Sequence, residues 1–452
     1  MSWRISEAAR ILAARLDGGD GYFQGASIDS RTVQPGELFV AVPGQRVDGH
    51  DFIDQAADRG AAAALVSRAV HAPIPTLQVA DVVDSLGRLA AAWRARHGVR
   101  VIAVTGSNGK TTTRNMIAAI LANRPTLVTT GNLNNELGLP LTLLQLDQTH
   151  RYAVLELGAG GPGDIAHLAG IAQPDVALIT NAGAAHLDRF GSVGEVARGK
   201  GEIYGCLRED GVGVVNFDDH HGALWLGMLK EHRVLGFSLH PNSDEQVRVF
   251  ARQADPLSGE LVLQIDQQQC SLQLPVSGWH NLANAVAAAA ASHAAGVDVE
   301  QIAAGLSQFR PEPGRLQRQT LASGVLIDDS YNANPGSVRA AIDYLSLCPA
   351  GSRWLVLGDM RALGNESPAR HAEIGRYALT RGIDRVFLLG EATAAVAEGF
   401  GEQAERFDSH QALVEALMRD WHSDVHCLVK GSRAMAMERV SNALREQLEK
   451  GD

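Results

Sequence analysis

One stretch, residues 101–121 (VIAVTGSNGKTTTRNMIAAIL), constrains this chain more than any other. The apolar run Val101–Val104 is typical of a buried strand, and a segment with helical spacing of its apolar residues follows the loop Thr105–Thr112. A strand, a glycine loop, a Lys-Thr pair and a helix are the layout of a phosphate cradle, in which backbone N–H groups face the phosphates. Lys110 would supply a point charge and the Thr111 hydroxyl would hold Mg²⁺. The stretch therefore predicts a nucleotide-binding domain.

The spacing of the glycines departs from the common form of this loop. The common pattern has four residues between its glycines, whereas two separate Gly106 from Gly109, and Val104 stands where the first glycine is expected. An ordinary turn between a strand and a helix is therefore the alternative interpretation. The position of the loop between a predicted strand and a predicted helix still favours nucleotide binding.

Composition narrows the class of protein. At 452 residues the chain is too long for one hydrophobic core and should form about three domains. The formal net charge of −11 disfavours a nucleic-acid binder, which would need a basic face. The N-terminal residues lack the apolar core of a secretory signal, and no stretch is long and apolar enough to span a bilayer, so we expect no membrane insertion. The 4 cysteines have neither metal-ligand nor disulfide spacing, which favours reduced thiols in a cytoplasmic protein.

The chain divides into three predicted units of α/β character. Residues 1–85 form a small N-terminal unit, residues 86–314 a central unit and residues 315–452 a third unit. In the central unit strand-like runs alternate with helical segments, which predicts a mainly parallel sheet with ligands at the carboxyl ends of its strands. Short alternating runs between residues 213 and 275 predict an appended, partly antiparallel sheet. Two prolines and a glycine make residues 311–314 the predicted hinge before the third unit.

Candidate functional residues in the central unit follow predicted strands. Glu156 closes one strand, and beside the phosphate loop its carboxylate would join the Thr111 hydroxyl as a hard oxygen ligand for Mg²⁺. His186 and Lys200 come later in the same unit. A lone histidine after a strand and a lone lysine on a helix are more often structural or solvated, so from the residues alone their roles stay open.

Polar residues in the other units suggest further anion contacts. Ser30 and Arg31 could receive phosphate oxygens, or they could form a solvated surface turn. Asn281 and Asn284, on the first turn of a predicted helix, could cap that helix or present amides to a purine. Arg315 directly follows the hinge, where domain movement could bring it onto a transferring phosphate. Strand ends of the third unit predict an anion-binding pocket at Asp328, Asp329, Asn332, Asn334, Lys430, Ser432 and Arg433.

With these motifs in view, the sequence resembles the Mur ligase family of ATP-dependent amide-bond-forming enzymes over essentially the whole chain. The resemblance is carried by DSRTVQPGELFVA, TGSNGKTT, TTGNLNNELGLP, LELGAG, TNAGAAHLDRFGS, ARGKGEIY, GWHNLANA, EPGR, DDSYNANPGS, LGDMRALG and VKGSR. TGSNGKTT is that family's own shorter-spaced cradle. GNLNNELGLP, DDSYNANPGS and KGSR single out the member that joins D-alanyl-D-alanine to UDP-N-acetylmuramoyl-tripeptide.

The resemblance implies an architecture and a reaction. It implies a small N-terminal α/β domain that binds the UDP-sugar, a central P-loop domain with a mainly parallel sheet that binds ATP, and a C-terminal Rossmann-like α/β domain that binds the dipeptide. The implied reaction forms a C–N bond through an acyl phosphate, in peptidoglycan precursor synthesis, by a monomer. The alternatives are another muramoyl-peptide ligase, a folylpolyglutamate-type ligase, or a non-catalytic nucleotide-gated regulator.

The resemblance also implies a role for each matching residue. ATP would contact Thr105, Gly106, Ser107, Asn108, Gly109, Lys110, Thr111, Thr112, Asn281, Asn284, Arg315, Asp329 and Asn332. Two Mg²⁺ ions would be held by Thr111, Glu156, His186 and Lys200, with Lys200 carbamylated. The catalytic residues would be Lys110, Glu156, His186, Lys200 and Arg315. Substrates would be bound by Ser30 and Arg31 near the uridine diphosphate, by Thr130, Asn132, Asn134 and Asn135 near the muramoyl peptide, and by Asn334, Lys430, Ser432 and Arg433 at the dipeptide.

Overall fold

The computed structural model describes residues 2–44 and 47–449, and its secondary structure falls into three α/β domains. The predicted ends of the first and third units, residue 1 and residues 450–452, lie outside the described residues. None of the helices in the described ranges is both long and apolar enough to cross a membrane.

The first domain contains a five-stranded sheet and a two-stranded sheet. Its elements in chain order are β1 (Trp3–Arg4), α1 (Ile5–Leu12), β2 (Arg15–Asp17), β3 (Tyr22–Phe23), β4 (Ala26–Ser27), β5 (Leu38–Val40), α2 (Ile53–Asp58), β6 (Ala63–Val66), β7 (Thr76–Gln78) and α3 (Val82–Ala95). The larger sheet has the order β2-β7-β6-β5-β4, in which only β2 runs antiparallel to its neighbour. The smaller sheet pairs β1 with β3.

Helix α3 packs on both the first domain and the central domain. It begins at Asp81, whose carboxylate accepts hydrogen bonds from two backbone N–H groups of the first turn, as an N-cap residue does. Trp93 near its end packs against Trp3 of the first domain in a tilted arrangement, with 5.1 Å between ring centroids. The indole N–H of Trp93 donates to the carbonyl of Leu146 in the central domain at 3.0 Å. The predicted boundary between residues 85 and 86 thus lies inside a continuous helix and not in a linker.

The central domain is built on one nine-stranded sheet of order β16-β15-β14-β13-β12-β11-β8-β10-β9. Its elements are β8 (Arg100–Thr105), α4 (Lys110–Ile120), β9 (Thr126–Val128), α5 (Gly138–Leu143), β10 (Tyr152–Glu156), α6 (Asp164–Ala172), β11 (Val176–Ile179), α7 (Leu187–Phe190), α8 (Val193–Gly201), β12 (Val212–Asn216), α9 (Gly222–Met228), β13 (Arg233–Ser238), β14 (Val247–Ala254), β15 (Glu260–Ile265), β16 (Gln268–Gln273), α10 (Trp279–Ala294) and α11 (Val299–Ser307).

The predicted mainly parallel sheet is confirmed, because strands β8 to β14 all pair in parallel. Only β15 and β16 are antiparallel. The alternating runs between residues 213 and 275 therefore continue the main sheet and do not form an appended one. Strand β8 lies inside the sheet and is apolar on both faces: Val101 and Ala103 join one core, and Ile102 and Val104 join the core shared with α4 and α10.

The third domain has a six-stranded sheet of order β17-β18-β22-β19-β20-β21, parallel except for β17. Its elements are β17 (Gln317–Thr320), β18 (Val325–Asp329), α12 (Pro335–Leu347), β19 (Ser352–Gly358), α13 (Ser367–Thr380), β20 (Arg385–Leu389), α14 (Ala394–Phe400), β21 (Ala404–Phe407), α15 (His410–Asp420), β22 (Val425–Lys430) and α16 (Glu438–Glu449). The predicted hinge, residues 311–314, lies between α11 and β17 and belongs to no helix or strand.

Candidate active site

Two glycines allow the loop after β8 to pack tightly. Gly109 has a left-handed backbone at φ 80°, and a Cβ placed there would lie 2.1 Å from Oδ1 of Asn284. A Cβ at Gly106 would lie 1.8 Å from Oγ1 of Thr180. A side chain at either position would force Thr180 or Asn284 to move, so the packing of this loop favours glycine at both.

The loop is held at the end of the neighbouring strand β11. The backbone N–H of Ser107 donates to the carbonyl of Asn181 at 2.9 Å, and that of Asn108 donates to Oδ1 of Asn181 at 3.0 Å. The hydroxyl of Thr180 donates to the carbonyl of Asn108 at 2.6 Å. These bonds fix the loop before any ligand binds. A pre-formed cradle loses less conformational entropy when it closes around phosphates.

Lys110 opens helix α4 and lies over the loop. Its Nζ donates to the carbonyl of Gly106 at 2.8 Å. Burial lowers the pKa of Lys110, Glu156 opposes that shift, and the positive charge of Arg315 adds to it. The structure thus brings together three of the predicted catalytic residues, one of them from beyond the hinge.

Glu156 ends β10 beside this loop and is 3% exposed. Its Oε1 accepts from Nδ2 of Asn134 at 2.7 Å, and its Oε2 lies 3.3 Å from Nη1 of Arg114. Arg114 also reaches Glu312 in the hinge at 3.0 Å. Neither Arg114 nor Glu312 was predicted as a site residue. The available signal was that Arg114 follows Lys110 by one helical turn, which places both on one face of α4.

A cavity of about 560 Å³ lies where these elements meet. It is bounded by the phosphate loop, the ends of β10 and β11, the start of α10 and a loop of the third domain. The predicted site residues that line it are Ser107, Asn108, Gly109, Lys110, Thr111, Thr112, Asn132, Asn134, Glu156, Asn281, Asn284, Arg315, Asp329, Asn332 and Asn334. The structure therefore converges most of the predicted nucleotide contacts on one space between two domains. A larger cavity of about 830 Å³ beside β17 and α16 is lined by two other residues of the predicted anion-binding pocket, Asp328 and Arg433.

The residues predicted to contact adenine are buried at the start of α10. Asn281 donates through Nδ2 to the carbonyl of Ser277 at 2.8 Å, which holds the first turn of the helix. Asn284 packs against Gly109. His280, which was not predicted, lines the same cavity, and burial lowers its pKa. Its Nδ1 is buried without a hydrogen-bond partner among the described residues.

Lys200 and His186 lie near Lys110 but do not line this cavity. Lys200 is 3% exposed and makes no ion pair among the described residues. Burial lowers its pKa well below the ordinary value, and the charge of Lys110 adds to the shift. The pKa of His186 is lowered by the surrounding protein and then by the charges of Lys110 and Lys200. Three cationic or potentially cationic groups thus lie close together, which suits an anionic ligand.

The loop after β9 contributes two of its four predicted residues to the cavity. Asn132 and Asn134 line it beside Glu156, whereas Thr130 and Asn135 do not. Oδ1 of Asn135 accepts from the backbone N–H of Gly138 at 2.9 Å and so fixes the start of α5.

Ser30 and Arg31 lie in the first domain and do not line the cavity. The buried Ser30 hydroxyl donates to Oε1 of Gln55 at 2.5 Å. Arg31 is exposed and pairs with Asp29 at 2.7 Å, and its hydrogen bonds lower the pKa of that carboxyl group to about 2. Arg31 therefore remains accessible to an anion.

The structure does not bring the four residues predicted for the dipeptide into one pocket. Lys430 is buried, and its Nζ contacts the Asp329 carboxylate at 2.5 Å, because a charge removed from water needs a partner. Ser432 is also buried, and its Oγ accepts from the backbone N–H of Arg361 at 2.8 Å. Arg433 is exposed and pairs with Glu438 at 3.1 Å, beside the larger cavity.

Asn334 contacts the phosphate loop. Its Nδ2 donates to Oδ1 of Asn108 at 2.7 Å, and its Oδ1 accepts from the backbone N–H of Ser337 as the N-cap of α12. One side chain thus starts a helix of the third domain and ties that domain to the central one.

The donors beside the loop fit a magnesium ion that binds together with a nucleotide. The Thr111 hydroxyl and the Glu156 carboxylate both line the cavity and are hard oxygen ligands. Within the described ranges, no group of three or more His, Cys, Asp and Glu side chains is arranged to hold a metal by itself. Mg²⁺ commonly takes one or two carboxylates, waters and phosphate oxygens, and so needs no such group.

Comparison with known proteins places this site in a class. The model of the Mur ligase family catalytic domain matches residues 22–100, that of the Mur ligase middle domain matches residues 104–292, and that of the Mur ligase glutamate ligase domain matches residues 314–433. The three matches cover the first domain, the phosphate-loop domain and the third domain in turn. The chain belongs to the Mur ligase family.

Individual relatives are similar over nearly the whole chain. The UDP-N-acetylmuramoyl-tripeptide–D-alanyl-D-alanine ligase of Escherichia coli (strain K12) is 42% identical over 454 residues, which cover 99% of each chain. A crystal structure of MurF from Acinetobacter baumannii has a TM-score of 0.92 at 35% identity and covers 99% of both chains. MurF of Thermotoga maritima in complex with ADP has a TM-score of 0.84 at 30% identity and covers 95% of this chain and 99% of that one. The implied three-domain fold is confirmed.

Proposed function

We propose that this chain joins D-alanyl-D-alanine to UDP-N-acetylmuramoyl-tripeptide with ATP, giving UDP-N-acetylmuramoyl-pentapeptide, ADP and phosphate. The observation that carries the proposal is the cavity in which the phosphate loop faces Arg315 and Asp329 of the third domain. A nucleotide held there has its phosphates at the junction of two domains. The Escherichia coli ligase named for this reaction is 42% identical over 99% of the chain.

ATP would bind with its phosphates on the backbone N–H groups of the loop and the N-terminus of α4. Asn281 and Asn284 would take the adenine, and Lys110 the β- and γ-phosphates. Thr111, Glu156, His186 and a carbamylated Lys200 would hold Mg²⁺, which when bound neutralises phosphate charge and orients the γ-phosphate. Asp329 and Asn332 would cover the nucleotide from the third domain.

The reaction begins with the tripeptide's terminal carboxylate. A carboxylate is a poor acyl donor, so its oxygen first attacks the γ-phosphorus, which forms an acyl phosphate and releases ADP. The neutral amine of D-alanyl-D-alanine then attacks the acyl carbon, loses a proton, and phosphate leaves with the former carboxylate oxygen. Lys110 and Arg315 would stabilise the negative charge that develops at the phosphoryl group. Closure of the third domain would keep water from hydrolysing the acyl phosphate.

The environment of Lys200 suits carbamylation. Its lowered pKa favours the neutral amine, which adds to CO₂ to give a carbamate and a proton. The change converts a buried neutral amine, which has no ion-pair partner among the described residues, into an anion close to the positive charge of Lys110. A carbamate oxygen is a hard ligand of the kind Mg²⁺ prefers.

The substrates would approach from the two flanking domains. Arg31 would contact the uridine diphosphate, with Ser30 shaping its turn. Asn132 and Asn134 lie beside Glu156, where the end of the muramoyl peptide must reach the γ-phosphate; Thr130 and Asn135 would support that loop. For the dipeptide, Asn334 and Arg433 line cavities. Lys430 and Ser432 would hold the surrounding loops in shape.

Phosphate release tests the proposed function. The protein would act as a monomer in the cytoplasm. In the assay it would be mixed with ATP, Mg²⁺ and UDP-N-acetylmuramoyl-tripeptide that carries either common diamino acid, with and without D-alanyl-D-alanine. We expect release only with both substrates, and a product mass that matches the pentapeptide. Equal release with a single amino acid would instead indicate another muramoyl-peptide or folylpolyglutamate-type ligase. Nucleotide binding without release would indicate a regulator.

A further inference from the structure

Arg114 occupies an unusual position one helical turn after Lys110. Its side chain is 2% exposed, and its guanidinium contacts two carboxylates on different elements. Nη1 lies 3.3 Å from Oε2 of Glu156 and donates to the carbonyl of Gly131 at 3.0 Å. Nη2 lies 3.0 Å from Oε1 of Glu312. One buried guanidinium thus connects two carboxylates that belong to different elements of the fold.

At one end of this arrangement Arg114 fixes the direction of Glu156. That carboxylate is held from two sides, by Arg114 and by Nδ2 of Asn134 at 2.7 Å from its other oxygen. A planar guanidinium with several donors restrains both the position and the orientation of its partner, which a lysine ammonium does not. The orientation of Glu156 toward the cavity therefore depends on Arg114.

At the other end Arg114 is connected to the hinge. Oε1 of Glu312 also accepts from Nδ2 of Asn115 at 2.7 Å. Arg114 and Asn115, two consecutive residues of α4, therefore both contact one carboxylate of the hinge. Oε2 of Glu312 lies 3.4 Å from Nε of Arg315, whose guanidinium lies 4.1 Å from the centre of the Tyr331 ring in the third domain. The contacts run without interruption from the end of β10 to the third domain.

We propose that Arg114 is a positioning residue that holds Glu156 toward the nucleotide and, through Glu312, ties that carboxylate to the hinge. The inference rests on the proposed function, since it concerns the same nucleotide site. It links two properties: nucleotide affinity that depends on Mg²⁺, and the arrangement of the third domain. Because linkage is reciprocal, a change at the hinge carboxylate alters nucleotide affinity, and a change at Glu156 alters the domain arrangement.

Calorimetric binding of ADP at a series of MgCl₂ concentrations, with small-angle scattering of the same samples, tests this inference. We expect Arg114→Met to weaken ADP binding in Mg²⁺ by about 10-fold to 100-fold, as the loss of a residue that orients a metal ligand does. Binding in EDTA should change much less. Arg114→Lys keeps the charge but not the planar fork, and should restore only part of the loss. Glu312→Gln should reduce the change in radius of gyration that ADP and Mg²⁺ cause.

The double variant that combines Arg114→Met with Glu312→Gln shows whether the two residues act together or independently on ADP affinity. If Arg114 acts through Glu312, the combined loss of affinity is smaller than the product of the single losses. Losses that multiply would overturn the link to the hinge.

Arg94→Met is the matched control. Arg94 is another arginine with 2% exposure, paired with Asp175 at 3.2 Å, and neither residue lines the nucleotide cavity. It should lower the melting temperature without changing ADP binding. If Arg114→Met does only the same, Arg114 is structural and the inference is wrong. A wild-type protein that binds ADP but fails to release phosphate would sink the proposed function while leaving this comparison valid.

Discussion

We expect a substitution of Lys110 to reduce phosphate release more than any other single substitution. Its Nζ lies over the phosphate loop, 2.8 Å from the Gly106 carbonyl, where under the proposed function charge would develop as the γ-phosphate transfers. Removing one pre-organised donor to a transition state typically costs about 10²-fold to 10³-fold in kcat. We expect Lys110→Met to lose at least that much phosphate release while the protein remains folded. Lys230→Met, at an exposed lysine, is the control. Near wild-type release by Lys110→Met would remove Lys110 from the site.

The buried Lys200 predicts a dependence of stability on pH. Its folded pKa lies below the ordinary value of 10.5, so between these two values the unfolded chain binds more protons and the free energy of unfolding rises with pH. In CO₂-free buffer, Lys200→Met should therefore melt higher than wild type near neutral pH, and the difference should shrink toward pH 10.5. Thermal denaturation of both proteins at a series of pH values measures this difference in melting temperature. A difference that does not vary with pH would contradict it.

Activity gives a second test at the same residue. If Lys200 is carbamylated, Lys200→Ala is inactive, and added short-chain carboxylates restore part of the rate by supplying the missing oxygens. Full activity without rescue would return Lys200 to an ordinary buried lysine. The sequence alone left this residue open, because neither its burial nor the approach of Lys110 can be seen in a linear chain.

At the scale of elements, the phosphate loop depends on two glycines. An alanine at Gly109 would adopt a strained backbone, at a cost of about 1–3 kcal/mol, and its Cβ would lie 2.1 Å from Asn284. We expect Gly109→Ala to lower the melting temperature and to weaken ADP binding at least tenfold. Gly98→Ala is the matched control, since a Cβ there meets nothing within 4 Å. Unchanged ADP affinity in Gly109→Ala would show that the loop does not hold the phosphates.

Several elements were predictable because local pattern and tertiary environment agree. The predicted strand run Val101–Val104 lies within β8, and β10 ends at Glu156, where the sequence predicts the end of a strand. The continuation of the sheet through β12 to β14 was not predictable, since polar alternation is compatible with either strand direction and pairing is decided by contacts distant in sequence. The predicted boundary between residues 85 and 86 lies within a helix for a related reason. Helix α3 is buried on two sides, and no composition change marks where one domain ends.

The site was predictable where chemistry is concentrated in one motif. The loop from Gly106 to Thr112 joins β8 to α4 and Glu156 ends β10, as the sequence predicts. Arg114 and Glu312 were not predicted as site residues, because a sequence does not show whether an arginine is buried or which distant residues pair with it. Lys430 lies at the end of a strand, as the sequence predicts, but its ion pair with Asp329 could not be seen in the sequence because the two residues are 101 positions apart.

At the scale of the whole molecule, the contact between Asn334 and Asn108 joins the third domain to the phosphate loop. Asn334→Ser keeps an N-cap side chain on α12 but is too short to reach Asn108, whereas Asn334→Ala loses both functions. We expect the serine variant to raise the KM for ATP several-fold at nearly wild-type stability. The alanine variant should lose about 1 kcal/mol in addition, measured by chemical denaturation. An unchanged KM in both variants would show that this contact does not contribute to nucleotide binding.

The proposed function divides one reaction among the three domains: the first would bind the UDP-sugar, the second would bind ATP, and the third would close over both. This division requires that ATP activate the tripeptide's carboxylate, and isotope transfer tests that requirement most directly. UDP-N-acetylmuramoyl-tripeptide labelled with ¹⁸O in its terminal carboxylate would be ligated with ATP and D-alanyl-D-alanine, and the released phosphate analysed by mass spectrometry. We expect one ¹⁸O atom in each released phosphate, because one carboxylate oxygen leaves with the γ-phosphoryl group. Phosphate without ¹⁸O, formed together with the pentapeptide, would contradict it.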